Sequence, residues 1–328
     1  MGKVALCGLI VALGLLSGCG QPALVPTPTP KQARIGLIDT GFANSNAQPI
    51  DALVLGLREH GRVVGDNLII DYRYAEGHED RLAGLAGELA SIPVDVIVAT
   101  TTQGTRAAME ATSRTPVVFT GLQDPVAAGL VESLAHPGRN ATGTTLLTPQ
   151  LHGKRLQILN DIIPNLQRVA VIANPTSAGL SLAQVEDAAR PLGLQVQLLQ
   201  VNRMDEFEAT FDAAVRGRAQ AVMVLPDALF FNNRARLVAL AAARSLPEMY
   251  WAREFSDEGA LLAYGGNRPE AFRRAASYVD KILRGAAPGE LPVEQASQFD
   301  FVINLKTAAA LGLTPKRELL VQATDLIR

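Results

Sequence analysis

The chain has 328 residues, 48% of them hydrophobic, and sets 30 lysines and arginines against 32 aspartates and glutamates. That length and apolar content can build one large domain or two of ordinary size, and two lobes are expected. The near-neutral balance excludes a basic face for nucleic acid, and a total of two cysteines excludes a disulfide-stapled scaffold.

The N-terminus begins with Lys3, continues through an apolar run over residues 4–16 and reaches Leu16-Ser17-Gly18-Cys19. A charged start, a brief apolar core and small residues before a cut are the parts of a secretory signal, and a cysteine at the cut resembles a bacterial lipobox. Residues 1–18 are therefore expected to be a lipoprotein signal peptide and Cys19 the lipidated first residue; the alternative is an ordinary cleaved signal with a chance cysteine. The apolar run is shorter than the roughly 20 residues a spanning helix needs. Membrane attachment is expected through the lipid anchor only, with the globular part in the periplasm or on the cell surface. Cys7 leaves with the signal, so the mature body holds neither a disulfide nor a thiol nucleophile. Residues 19–33 follow as a tether in which Pro22, Pro26, Pro28 and Pro30 favour extended, solvated backbone.

Short β-branched runs then alternate with amphipathic segments. Strands are expected at residues 34–39 (RIGLID), 68–74, 94–99 (VDVIVA) and 116–120 (PVVFT), with helices at 49–60, 79–91, 103–113 and 125–134. The pattern restarts after about Leu147, with helix at 151–163, 181–192, 204–216 and 232–244 and strand at 168–173 (RVAVIA), 195–200, 221–225 and 248–251. The run at 168–173 is apolar without alternation, as buried parallel strands require. Repeated strand-then-helix steps predict α/β architecture with doubly wound parallel sheets, and residues 142–149 between the two sets read as a crossing strand. An amphipathic helix at 270–284 and an isolated strand at 299–304 suggest that the chain crosses between lobes more than once. Multiple crossings make a hinge.

In open parallel sheets, ligands collect beyond the carboxyl ends of the strands. Applied here, that rule selects Asp39 and Thr40 after the first strand, Thr100, Thr101, Thr102 and Gln103 after the third, and Gln123 and Asp124 after the fourth. The second set offers Asn174, Thr176, Ser177, Asp227, Trp251 and Tyr264. The threonine run would aim hydroxyls and a positive helix start at one spot, a seat for a carboxylate; helix capping alone is the compatible, plainer role. Asp124 and Asp227 would offer negative charge to an ammonium, or serve as a cap and a turn. Trp251 would line a site for an apolar or planar group, or belong to the core. Phe230 and Phe231 read more readily as helix-packing residues than as ligand wall. His60, His78, His136 and His152 lie far apart, read as surface or loop residues and predict no metal site. GxSxG, Walker and GxGxxG motifs are absent, so no nucleotide cofactor and no catalytic residue is expected.

With those residues in view, the sequence resembles the ABC-transporter substrate-binding proteins of type 1 periplasmic binding fold, some of which are lipoproteins that capture aromatic amino acids such as tryptophan. The resemblance runs from about Arg34 to Leu313 and is carried by residues 71–77 (DYRYAEG), 94–98 (VDVIV), 124–131 (DPVAAGLV), 137–143 (PGRNATG), 225–227 (LPD), 278–283 (YVDKIL) and 301–308 (FVINLKTA). It implies two lobes joined by three crossings, residues 34–146 plus 266–292 forming one and 147–265 plus 293–328 the other. It further implies a solute held between them and an importer permease and ATPase as partners. The expected activity is monomeric capture of a small solute, an amino acid or related zwitterion, without chemistry. A ligand-sensing receptor subunit and an extracytoplasmic α/β hydrolase are the alternatives; the latter lacks a nucleophile–base pair.

Overall fold

The computed structural model describes residues 32–146, 151–175 and 179–328, the side chains of 179–181 excepted. Cys19, the signal segment and the tether as far as residue 31 lie outside the described residues. In chain order the first set of elements is β1 (Ala33–Asp39), α1 (Ala47–Glu59), β2 (Leu68–Tyr74), α2 (Leu82–Ser91), β3 (Val96–Ala99), α3 (Thr102–Ala111), β4 (Val117–Leu122) and β5 (Ala141–Thr145). The second set is α4 (His152–Ile162), β6 (Arg168–Ala173), α5 (Gly179–Ala189), β7 (Gln195–Gln200), α6 (Phe207–Arg216), β8 (Ala221–Val224), α7 (Ala228–Asn232), α8 (Arg234–Ala243), β9 (Glu248–Tyr250), α9 (Arg253–Asp257) and β10 (Leu262–Gly266). The chain then returns to the first set with α10 (Arg268–Leu283) and β11 (Glu294–Gln295). It ends in the second with β12 (Phe299–Asn304), α11 (Leu305–Ala310), α12 (Arg317–Gln322) and β13 (Asp325–Ile327).

The strands form two sheets, in the orders β11-β5-β4-β3-β1-β2 and β13-β12-β10-β9-β8-β6-β7. Each is built outward in both directions from its first strand, β1 or β6, which makes each half doubly wound. Side chains alternate between the faces of a strand, and here both faces are covered. On one face of the first sheet Ile35, Leu37, Val96, Val98 and Val118 pack with Leu53 and Leu57 of α1 and Phe272, Ala276 and Val279 of α10. On the other, Ile38, Ile97, Ala99 and Phe119 meet Ala86 and Leu89 of α2 and Ala108 of α3. The second sheet does the same: Val169, Val171 and Met223 face α4, while Ile172, Val222, Val224 and Tyr250 face Phe207 and Phe211 of α6 and Leu237 of α8. Burial on both faces is the reason these strands read as unbroken apolar runs.

The chain passes between the sheets after β5, between β10 and α10, and between β11 and β12. The last passage lies beyond the boundary expected at 292, because Glu294 and Gln295 pair in parallel with Thr144 and Thr145. Return of the chain to the first sheet depends on close contact of α10 with α1. A Cβ on Gly56 would lie 2.5 Å from the Arg273 carbonyl oxygen, so only glycine permits this approach.

Four local expectations need correction. Residues 125–134 form no helix: Leu130 N–H bonds back to the Pro125 carbonyl and Gly129 takes φ +69°, which ends the segment after one turn. Residues 141–145 do not cross between lobes but pair with β4 inside the first sheet, and residues 147–150 lie outside the described residues. The second sheet is not wholly parallel, since β12 runs antiparallel to β10. His152 is not a surface residue; it is buried on the core stripe of α4 with Leu156 and Leu159, its Nδ1 3.3 Å from Arg155 Nη1. Burial first and the Arg155 charge second push its pKa down to about 3, so the ring is neutral at neutral pH. A histidine at helical spacing with leucines belongs to the core side, a signal that spacing from other histidines does not carry.

Candidate functional site

The carboxyl ends of both sheets face one another across a cavity of about 420 Å³. The first lobe contributes Thr40 from the loop after β1, the segment 100–103 between β3 and α3, and Gly121, Leu122, Gln123 and Asp124 from the end of β4. These loops flank the point where strand order reverses, the usual crevice of an open α/β sheet. The second lobe contributes Asp227, Ala228, Phe231 and Asn232 around α7, Gln184 of α5 and Trp251 after β9. Leu146 and Arg268 close the hinge end.

The start of α3 is built by its threonines. Thr101 is the N-cap, in extended backbone, and its hydroxyl accepts from Gly104 N–H at 3.1 Å. Thr100 turns inward, donating from Oγ1 to Asp39 Oδ2 at 2.6 Å. Thr102 and Gln103 occupy the first turn, half-buried on the cavity wall, where helix N–H groups have no carbonyl partners within the helix. Capping and cavity lining are thus combined in one segment. Asp227 has a similar dual position: its Oδ1 accepts from Leu229 N–H at 2.8 Å as the N-cap of α7, and the residue lines the cavity. Asp124 accepts from Ala127 N–H at 2.9 Å in the turn that replaces the expected helix.

Charge in the cavity is balanced. Asp124 and Asp227 face Arg106 and Arg268 among the lining residues. Arg106 is held by the Ala128 carbonyl at 2.7 Å. Arg268 pairs with Glu254 at 2.9 Å, donates to Asn46 Oδ1 and lies 4.3 Å over the Phe231 ring. The lobes touch across the gap, where Gln123 Nε2 donates to the Pro226 carbonyl at 2.8 Å. Phe231 and Trp251 give the second lobe an aromatic wall, backed by Phe255, whose ring meets Trp251 edge-on at 4.7 Å and Phe231 at 6.1 Å.

Of the residues selected from the sequence, Thr40, Thr100, Thr101, Thr102, Gln103, Gln123, Asp124, Asp227 and Trp251 come together on this cavity. Three do not. Asp39 stands behind the wall, fully buried, bonded to Gly41 N–H, Asn46 and Thr100. Asn174 is buried directly after β6 and does not line the cavity. Tyr264 lies within β10, its ring packed on Phe299 and Phe301 and its carbonyl accepting from Arg155 Nε at 2.7 Å; a residue inside a strand does not reach the strand end. Thr176 and Ser177 lie outside the described residues. Asn46, Arg106 and Arg268 were not selected, and Phe231 is both helix-packing and cavity wall. Applying the strand-end rule to residues 262–266 (LAYGG), followed by Asn267, would have reached Arg268, but the paired glycines mask that strand.

Two doubly wound lobes joined by three passages around a charge-balanced cleft define a solute-binding protein of type 1 periplasmic binding fold. The chain belongs to the family described as ABC transporter substrate binding protein, whose profile matches residues 44–327. Its role is therefore solute binding outside the cytoplasm, not catalysis. Among similar proteins is a tyrosine-binding protein of Clostridioides difficile, 24% identical over 313 residues covering 93% of this chain and 90% of the relative. Similar solved structures include a conserved domain protein from Vibrio cholerae, with TM-score 0.85 and 27% identity over 90% of this chain and all of that one. Another is an ABC domain in complex with L-Trp from Streptococcus pneumonia, with TM-score 0.85 and 23% identity over the same shares.

Proposed function

We propose that this protein is exported, lipidated on Cys19 and, as a monomer, captures an amino acid or related zwitterion for an ABC permease and its ATPase. The observation that supports this most directly is the cavity itself: a helix start rich in hydroxyls, two carboxylates and an aromatic wall converge on one cleft. A ligand carboxylate fits the N–H and hydroxyl groups at Thr101, Thr102 and Gln103. Its ammonium fits the carboxylates of Asp124 or Asp227, and Phe231 with Trp251 favour an apolar or aromatic side chain. The volume lies within the range of small-ligand pockets, about 300–1,000 Å³. Tyrosine and tryptophan, the ligands named for two similar proteins, match this chemistry.

Ligand that binds only the folded form stabilises it by mass action, by about 2.7 kcal/mol at a hundredfold excess over Kd. Thermal melting of the protein with each proteinogenic amino acid is expected to show a rise with L-tyrosine or L-tryptophan. A flat response across all amino acids refutes the reading. Asp227→Asn keeps an oxygen for the Leu229 N–H but removes the charge. It is expected to weaken amino-acid binding roughly tenfold, about 1.4 kcal/mol, by calorimetry, with an unchanged melting temperature without ligand. Equal affinity would return Asp227 to a capping role alone.

A further inference from the structure

The second passage of the chain between the lobes delivers one cation into the hinge end of the cleft. Arg268 opens α10, which packs on the first sheet, and its side chain is 14% exposed. Its partners are divided between the lobes. Asn46, the residue before α1, accepts from Nη2 on the first-lobe side. Glu254 of α9 takes Nε at 2.9 Å, and the Phe231 ring of α7 lies 4.3 Å beneath the guanidinium, both on the second-lobe side. From Asn46 the bonding continues: Asn46 Nδ2 donates to Asp39 Oδ2 at 2.7 Å, and the same oxygen accepts from Thr100 at 2.6 Å. A continuous polar chain thus runs from Glu254 to the residue that precedes the α3 N-cap. Among the described residues, Arg268 with Glu254 is the ion pair that joins elements packed on different sheets.

We infer that Arg268 is a closure latch, a positioning residue that couples occupancy of the cleft to the angle between the lobes. Because α10 travels with the first sheet, hinge opening separates the guanidinium from Glu254 and Phe231 while leaving Asn46 in place. A solute that fills the cleft displaces water beside the pair, and an ion pair strengthens as its surroundings dry. The latch thereby biases the lobes towards closure without ligand and holds them harder when the cleft is filled, so binding and closure reinforce each other. This coupling rests on the solute-binding reading for its ligand, whereas the latch itself rests on contacts among the protein's own residues.

Trp251 is the single tryptophan of the chain and lines the same cavity, so its fluorescence reports opening without a label. In the full-length protein without ligand, Arg268→Gln is expected to red-shift Trp251 emission and raise its quenching by acrylamide. Glu254→Gln is expected to do the same, and the double variant no more than either single one, the signature of a shared interaction. With L-tyrosine as the calorimetric probe, each variant is expected to bind roughly tenfold more weakly, because apparent affinity falls with the fraction of closing-competent protein. Arg268→Lys, which keeps the charge but loses the fork, should recover part of the loss. Wild-type emission and quenching in both single variants, or additive effects in the double variant, would overturn the latch. Failure of wild type to bind L-tyrosine would count against that ligand, while the Trp251 measurements still decide for or against the latch.

Discussion

Asp39→Ala is expected to cost about 3–5 kcal/mol of folding stability and to abolish solute binding. The carboxylate is fully buried and accepts three donors: Gly41 N–H at 2.6 Å, Asn46 Nδ2 at 2.7 Å and Thr100 Oγ1 at 2.6 Å. Truncation leaves Gly41 N–H and Asn46 Nδ2 without this acceptor in a buried site and Thr100 Oγ1 with only the Ile38 carbonyl at 3.4 Å, and the penalty for unmade hydrogen bonds exceeds the net worth of made ones. The damage is also geometric. Asp39 ties the ends of β1 and β3 to the loop before α1, so its loss frees Thr40, Asn46 and Thr100, which line the cleft. Urea unfolding and amino-acid calorimetry together test this. A loss under about 1 kcal/mol, or retained affinity, would show that the network is not structural.

Glu248→Gln is expected to stabilise the protein on the alkaline side, by on the order of 4 kcal/mol near pH 8 and by almost nothing near pH 4. Glu248 is buried on β9, where its Oε1 accepts from Leu261 N–H at 3.3 Å. Burial pushes its pKa up to about 8 from the ordinary 4.5, and the backbone hydrogen bonds only partly oppose this. The unfolded chain gives up this proton first, near its ordinary value, so the unfolded state binds fewer protons between those two values and wild-type stability falls as pH rises across them. The neutral amide removes that slope. Melting temperatures of both proteins from pH 4 to 9 should diverge through this window; parallel curves would show that the carboxyl titrates normally.

The strands and the cleft-facing side of each lobe were legible in the sequence, for a physical reason. A strand covered on both faces must be an unbroken apolar run, and in a parallel sheet every such run ends on the same side. Residues directly after the runs at 94–99 and 116–120 therefore share one edge of the first sheet, and those after 221–225 lie on the corresponding edge of the second, which is why Thr100 to Gln103, Asp124 and Asp227 could be found from the sequence. Residues 125–134 misled because their composition suits a helix, while a single left-handed Gly129 ended it.

What the chain alone determined is the architecture of two α/β lobes and the rim of polar residues between them, since both follow from local periodicity. Which of those residues face the cavity was decided only by tertiary structure. Asp39 turns into the protein because its partner Thr100 lies 61 positions away, and the lobes meet through Gln123 and Pro226, 103 positions apart. Arg268 enters the cleft because a hinge passage places it between Asn46, 222 positions away, and Glu254. Contacts of such separation arise when sheets and helices pack, and no pattern of neighbouring residues records them.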